Sequence, residues 1–308
     1  MGISEREVID LVQRIFPTSH PDLQVGIGDD AAIFTGRTNQ VVTTDIAVEG
    51  VHFKREWSPA RAIGARSVAA NIADLQAMNA IPQFLLLTVT LTGSETFDWI
   101  EDLLRGIAAE VAKSGVAVIG GDTSRSAVFS ISVTAIGYSE KPILRSGAVV
   151  GDSIYLSGLT GWSAAGLHLL KENIAINSAT AEKAISRYQT PEISYGIDFS
   201  SATSMADVSD AVIIQAEQMA AASQVRFEFD LDLFKGAIDF ADLSSLADSI
   251  GHNVFDWIIS GGEDHVLLAT GKDLPGLKIG EVRPGVGISF TQVGREIKMA
   301  PDTWDHFR

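Results

Sequence analysis

Spacing alone predicts that the chain opens on an amphipathic helix. Val8, Leu11, Val12 and Ile15 recur at helical intervals. Ser4 with Glu7 forms a capping box, and Pro17 ends the run. Short β-like segments follow at 23–27 (LQVGI), 31–34 (AAIF) and 41–45 (VVTTD). Ser58 and Pro59 read as the N-cap and first-turn pair of an alanine-rich helix that reaches about Met78. FLLLTVTL (84–91) reads as a strand, and Phe97, Ile100, Leu104, Ile107 and Val111 mark a further amphipathic helix. VAVI (116–119) is a short buried strand ending in Gly-Gly-Asp, and VFSISVTAIGY (128–138) alternates like a strand with one solvated face. The stretch 139–152 mixes polar residues, Pro and Gly, which places a domain boundary there and gives domains 1–140 and 141–308. The second half predicts a strand at 153–157, helices at 161–172, 178–188 and 205–222, and strands at 225–229 and 265–269. Strands and helices interleave without βαβ regularity, so the expected class is α+β with mixed sheets in two domains.

Length and composition narrow the function. At 308 residues the chain has room for two domains, and 46% hydrophobic with 20% charged residues is ordinary for a folded globular protein. The formal net charge of −16 argues against nucleic acid and anionic membranes as partners. The longest apolar stretch, around 84–91, is too short to span a bilayer, and no secretory leader is visible. The absence of cysteine excludes disulfides, thiolate zinc sites and a Cys nucleophile, and fits a reducing, cytoplasmic setting.

The aspartates are the informative chemistry. Asp29 and Asp30 follow Gly-Ile-Gly in a tight turn. Asp45 ends the strand VVTTD, Asp74 lies in the alanine-rich helix, and Asp122 ends the strand VAVIGG. Asp207 and Asp210, in MADVSD, are expected to share one face at the start of a helix. Five of the seven also have a plain structural reading: turn former for Asp29, Asp30 and Asp122, solvated helix face for Asp74, helix cap for Asp207. Two carboxylates 4 Å apart repel by about 4 kcal/mol at an effective dielectric near 20, so several that converged would need divalent cations or shared protons. Oxygen donors without Cys or paired His select Mg²⁺, Mn²⁺ or Ca²⁺ over zinc.

Other motifs fail their context tests. GIGDDA (26–31) matches a dinucleotide fingerprint, but it puts carboxylates where a pyrophosphate would approach and is not followed by a helix-like segment. A Walker loop, GxSxG and the protein-kinase set are absent.

Taken in order, GIGDDAA, TTDIAVEGVHF, NIADLQAMNAIP, GGDTSRS, LRSGAVVGDSIYLSG, SAAGL, MADVSD and SGGEDH resemble the thiamine-monophosphate kinases from residue 26 to about 268. That family is related to aminoimidazole-ribonucleotide synthetase and selenophosphate synthetase. The resemblance implies an N-terminal mixed sheet with helices that forms a barrel in a homodimer, and a C-terminal α/β domain. It implies ATP as co-substrate, several Mg²⁺ ions, and transfer of the γ-phosphoryl group to thiamine monophosphate. By the same resemblance, Asp30, Thr43, Thr44, Asp45, Asp74, Asp122, Asp207 and Asp210 hold metal, with Asp45, Asp122 and Asp210 closest to the chemistry. Gly121, Asp122, Arg145 and Ser209 meet the nucleotide, and His52, Glu263, Asp264 and Trp304 meet the acceptor. Trp162, Ala211, Asn79, Leu104 and His265 depart from the family pattern, at positions usually held by Asp, Gly, Gly, Tyr and Tyr. The alternatives are another ATP-dependent synthetase of the same group and a Ca²⁺-stabilised binding protein.

Overall fold

Alternation of apolar and polar residues builds the first sheet. In a computed structural model that describes residues 5–16, 20–27, 31–37 and 39–299, the chain divides into two compact units. One comprises Met1–Gln76 with Ala80–Glu140, the other Ala77–Asn79 with Lys141–Arg308.

The first unit contains α1 (Glu5–Ile15), a small hairpin of β1 (Leu23–Val25) and β2 (Ile33–Phe34), then β3 (Gln40–Val48), α2 (Ala60–Ala77), β4 (Ile81–Leu91), α3 (Phe97–Ser114), β5 (Ala117–Arg125) and β6 (Ser130–Tyr138). Strands β3–β6–β4–β5 form one sheet, antiparallel except for the β4–β5 pair. In β6, Ile131, Val133 and Ala135 are buried, while Ser130, Ser132 and Thr134 face the other side half-buried. The alanines of α2 allow tight packing: Val68, Ala69, Ile72, Ala73 and Leu75 are fully buried. Two glycines let α2 and α3 touch by backbone. A Cβ on Gly64 would lie 2.2 Å from the Leu103 carbonyl oxygen, and one on Gly106 would lie 1.9 Å from that of Arg61.

The second unit contains β7 (Ser153–Leu156), α4 (Trp162–Lys171), α5 (Ala179–Gln189), β8 (Ser204–Asp207), α6 (Val212–Ser223), β9 (Arg226–Asp230), α7 (Leu231–Phe234), α8 (Phe240–Ser249), α9 (Val254–Ser260), β10 (Leu267–Gly271), β11 (Leu277–Arg283), β12 (Gly287–Gln292) and β13 (Arg295–Ile297). Its sheet runs β13–β12–β9–β11–β7–β10–β8 and is antiparallel apart from β12–β9. The larger core joins this sheet to its helices through Ile154, Leu156, Trp162, Val212, Phe227, Phe229 and Ile258. A smaller cluster gathers Ile143, Tyr155, Met205, Leu267 and Ala269. The α+β expectation with mixed sheets holds.

Several element boundaries differ from the expectation. β3 continues through Ile46, Ala47 and Val48, so Asp45 is a mid-strand residue and does not end it. β5 likewise runs on through Gly120, Gly121 and Asp122 to Arg125. The segment expected as a helix over 205–222 begins with strand β8, and its helix starts only at Val212. Asp207 and Asp210 therefore share no helix face.

Candidate functional site

In the first unit, cross-strand register sorts the candidate residues. Asp45 lies opposite Val133, which lies opposite Leu87, which pairs with Gly121. Asp122 belongs to the next row, beside Thr88 and Ser132. Both aspartates are exposed. Thr43 and Thr44, being neighbours in a strand, point to opposite faces. Thr43 Oγ1 donates to Asp74 Oδ2 at 2.6 Å and ties β3 to α2. Thr44 Oγ1 donates to the Val133 carbonyl at 3.1 Å and lies 3.0 Å from Thr134 Oγ1. Gly121 is required where it stands: its φ is +155°, and a Cβ there would lie 1.8 Å from the Leu87 carbonyl oxygen. His52 sits in the turn after β3, with Nδ1 accepting from Val48 N at 3.1 Å.

In the second unit, two motifs far apart in sequence form one structure. Val208 N donates to Val266 O at 2.8 Å, His265 N to Val208 O at 2.9 Å, and Glu263 N to Ser209 O at 2.6 Å. Gly262 fits because a Cβ there would meet the Asp210 carbonyl oxygen at 2.2 Å. The loops holding MADVSD and SGGEDH thus pack backbone to backbone. Glu263 and His265 both adopt left-handed φ values, +67° and +52°, an arrangement that costs of order 1–3 kcal/mol per residue and collects at functional sites.

Side chains 263 and 265 go one way and 264 the other. His265 is buried, with Nδ1 3.3 Å from Asp207 Oδ2 and Nε2 3.5 Å from Glu263 Oε2. Burial alone would lower its pKa, but the Asp207 and Glu263 carboxylates raise it to about 10. The imidazole is therefore a buried cation between two acids. Asp264 is buried in the opposite direction. Its Oδ2 accepts from Gly161 N at 2.7 Å and its Oδ1 from Ser163 N at 3.0 Å, which caps the N-terminus of α4. Burial pushes its pKa up to about 6, against the pull of those two amides. Both oxygens serve the helix.

Arg145 Nη1 donates to Gln218 Oε1 of α6 at 2.8 Å, and Ser223 Oγ accepts from Gly147 N and Ala148 N in the same loop. Gln218 thereby orients a guanidinium that sequence reading singled out. Among the described residues, no group of three or more His, Cys, Asp or Glu side chains has an arrangement that could hold a metal ion. Asp29, Asp30 and Trp304, together with Ser4 and Pro17, lie outside the described residues.

The five departures have local explanations. Asn79 takes a left-handed φ of +52°, and its Nδ2 donates to the Lys141 carbonyl at 2.9 Å. Ala211 has an extended φ of −174°, which needs no glycine. Leu104 is buried on α3. Trp162 Nε1 donates to Asp239 Oδ2 at 2.8 Å, and Lys183 Nζ lies 3.9 Å from the Trp162 ring centre. Trp162 also lines a cavity of about 630 Å³, with Leu159, Arg187, Ile193, Tyr195 and Asp264 among its other walls. His265 is the ion-paired cation already described. Its sequence context, a histidine directly after two acids, was the available signal for that role.

Residues 28–139 match the family described as AIR synthase related protein, N-terminal domain. A Corynebacterium glutamicum protein named thiamine-monophosphate kinase is 33% identical over 295 residues, covering 91% of this chain and 88% of that one. A crystal structure of thiamine-monophosphate kinase from Stenotrophomonas maltophilia superposes with a TM-score of 0.81 at 31% identity, over 96% of this chain and 99% of that one. A structure described as AaThiL complexed with AMPPCP and TMP gives a TM-score of 0.78 at 27% identity, over 98% and 97% of the two chains. With this extent of sequence likeness, the chain belongs to the thiamine-monophosphate kinase family.

Proposed function

We propose that this chain transfers the γ-phosphoryl group of ATP to the phosphate of thiamine monophosphate, giving thiamine diphosphate and ADP. The observation that carries the reading is the structural neighbour complexed with AMPPCP and TMP, which covers 98% of the chain. AMPPCP is an ATP analogue, so that pair corresponds to donor and acceptor. The acceptor phosphate has a second pKa near 6 and is largely ionised at neutral pH. No strong general base is needed; the obstacle is repulsion between two anions.

The residues divide the work accordingly. The candidate nucleotide-contacting residues are Arg145, held by Gln218, and Ser209 in the second unit, and Gly121 and Asp122 in the first. The candidate ligands for magnesium are all oxygen donors, the donor type Mg²⁺ takes, although the described ones do not gather into a group of three or more acids. They are Thr43, Thr44, Asp45, Asp74, Asp122, Asp207 and Asp210, with Asp30. When bound, Mg²⁺ would supply charge neutralisation on the transferring phosphoryl oxygens. Glu263 and His52 are the candidate acceptor-side residues. Asp264 acts one step back, because its oxygens are committed to the α4 amides. Asp45, Asp122 and Asp210 are the acids closest to the transfer.

The exposed face of the first sheet supports a homodimer. Val42 and Ile46 are 60% and 53% exposed there, and a second copy of the sheet would bury them. Residues 1–140 would then carry dimerisation and most of the metal-linked acids, and 141–308 would complete the nucleotide and acceptor sites. Among the described residues no helix is long and apolar enough to cross a membrane.

The test is ³¹P NMR of reactions with Mg-ATP and a panel of small acceptors, with and without EDTA. Thiamine monophosphate should yield thiamine diphosphate and ADP, and chelation should stop turnover. An activated carbonyl product from another acceptor, with no thiamine diphosphate, would favour the related synthetases.

A further inference from the structure

We propose that Arg55 is the positioning residue that fixes the His52 loop, an inference whose functional meaning rests on reading His52 as an acceptor-side group. The chain reverses immediately after β3. Val51 N and His52 N both donate to the Val48 carbonyl, at 3.2 and 2.9 Å, and Gly50 N donates to Phe53 O at 2.8 Å. Val48 N donates back to His52 Nδ1 at 3.1 Å. A ring nitrogen that accepts carries no proton, so the imidazole is neutral with its hydrogen on Nε2. The turn thus fixes one tautomer and aims one donor.

Arg55 ties this turn to the rest of the unit. Its Nε lies 3.0 Å from Glu49 Oε2, and its Nη2 donates to Glu95 Oε1 at 2.6 Å. The guanidinium carbon lies 4.4 Å from the Trp99 ring centre and 5.2 Å from that of Phe129. Those rings meet edge to face at 5.0 Å, and Phe53 packs on Phe129 at 5.9 Å. Residues on either side of His52 are thereby joined to α3 and to the start of β6.

The anchor is built in. The Glu95 side chain is only 1% exposed. Its carboxylate also accepts from Thr92 N at 3.0 Å, Thr92 Oγ1 at 2.9 Å and Gly93 N at 3.0 Å. Burial alone would raise the Glu95 carboxyl, yet Arg55 and these donors hold it below the ordinary range. A planar guanidinium can meet two carboxylates and lie against two rings at once; an ammonium cannot. The structure therefore asks for arginine here, beyond a positive charge.

The experiment compares the full chain with Arg55→Gln, Arg55→Lys and His52→Gln. Imidazole ¹⁵N spectra report the His52 tautomer, with His52→Gln assigning its signals, and steady-state kinetics with Mg-ATP and thiamine monophosphate are run alongside. Arg55→Gln should move His52 off the single Nε2–H tautomer. It should also raise the acceptor KM about tenfold, as expected for a displaced positioning group, while KM for ATP stays within about twofold. Arg55→Lys should recover only part of both effects. An unchanged His52 signal in a folded Arg55→Gln protein overturns the proposal. If that variant does not fold, an unchanged signal in Arg55→Lys does the same. A moved signal with unchanged acceptor KM supports Arg55 as the anchor and removes His52 from the acceptor site, so the two readings fail separately.

Discussion

Single residues here do work that their neighbours in sequence do not share. Asp264 is a buried helix cap with a pKa raised to about 6 from an ordinary value near 3.8. A carboxyl whose folded pKa is raised contributes stability that is full below its unfolded value and is lost as pH rises through the folded one. Between pH 4 and pH 7.5 the wild type should therefore lose up to about 3 kcal/mol at this site, a loss that Asp264→Asn cannot suffer. Urea unfolding at the two pH values should show the variant gaining on the wild type as pH rises. A constant difference between them would mean that Asp264 is solvated. Asp45 calls for the contrary outcome: it is exposed, so Asp45→Asn should leave the unfolding midpoint unchanged. Turnover should fall on the order of 100-fold, as for loss of one charge-organising group. Near-normal turnover would remove Asp45 from the metal set.

At the scale of elements, most segments were legible, the short buried strands β7 and β10 among them, and β8 was not. Helices α1, α2, α3, α4 and α5 and strands β4 and β6 fall close to their expected spans: α1, α3 and β6 show apolar periodicity, and α2 is marked by its Ser58-Pro59 start and its alanines. β8 failed for a physical reason: like β10 it is buried throughout and shows no alternation, but unlike β10 it leads into the apolar run of α6, which extends a helical pattern backwards over it. β3 and β5 were cut short at their acids, since Asp45 and Asp122 read as stops although the hydrogen-bonded ladders continue past them. The candidate acids could be named from motifs, but strand register and the capping role of Asp264 depend on pairing that spacing cannot supply. The Gly-Gly-Asp segment offers a direct test at this scale. Gly121→Ala forces a Cβ against the Leu87 carbonyl and should destabilise the first unit by about 1–3 kcal/mol, seen as a lower melting temperature. An unshifted melt would show that edge strand β5 yields freely.

For the molecule as a whole, binding and assembly should be readable as stability. If nucleotide binds the folded chain alone, AMPPCP with Mg²⁺ at 100 times its Kd should add about 2.7 kcal/mol, and EDTA should abolish the gain. Stabilisation by Ca²⁺ with nothing further from nucleotide would point to a binding protein. The exposed sheet face makes the complementary prediction. Light scattering should give twice the mass of a 32.8 kDa chain, and Val42→Glu with Ile46→Glu should convert it to a folded monomer. A wild-type monomer would leave those side chains without a purpose.

The sorting of Glu263, Asp264 and His265 also sets what the locus can tolerate in evolution. Consecutive side chains reach separate destinations, so a one-residue deletion or insertion there would exchange them. An acid would lose its imidazolium and the helix its cap in the same event. Point substitutions can be repaired one at a time, but a frame slip at this place breaks both unions together, so this short stretch should vary in letters and never in length.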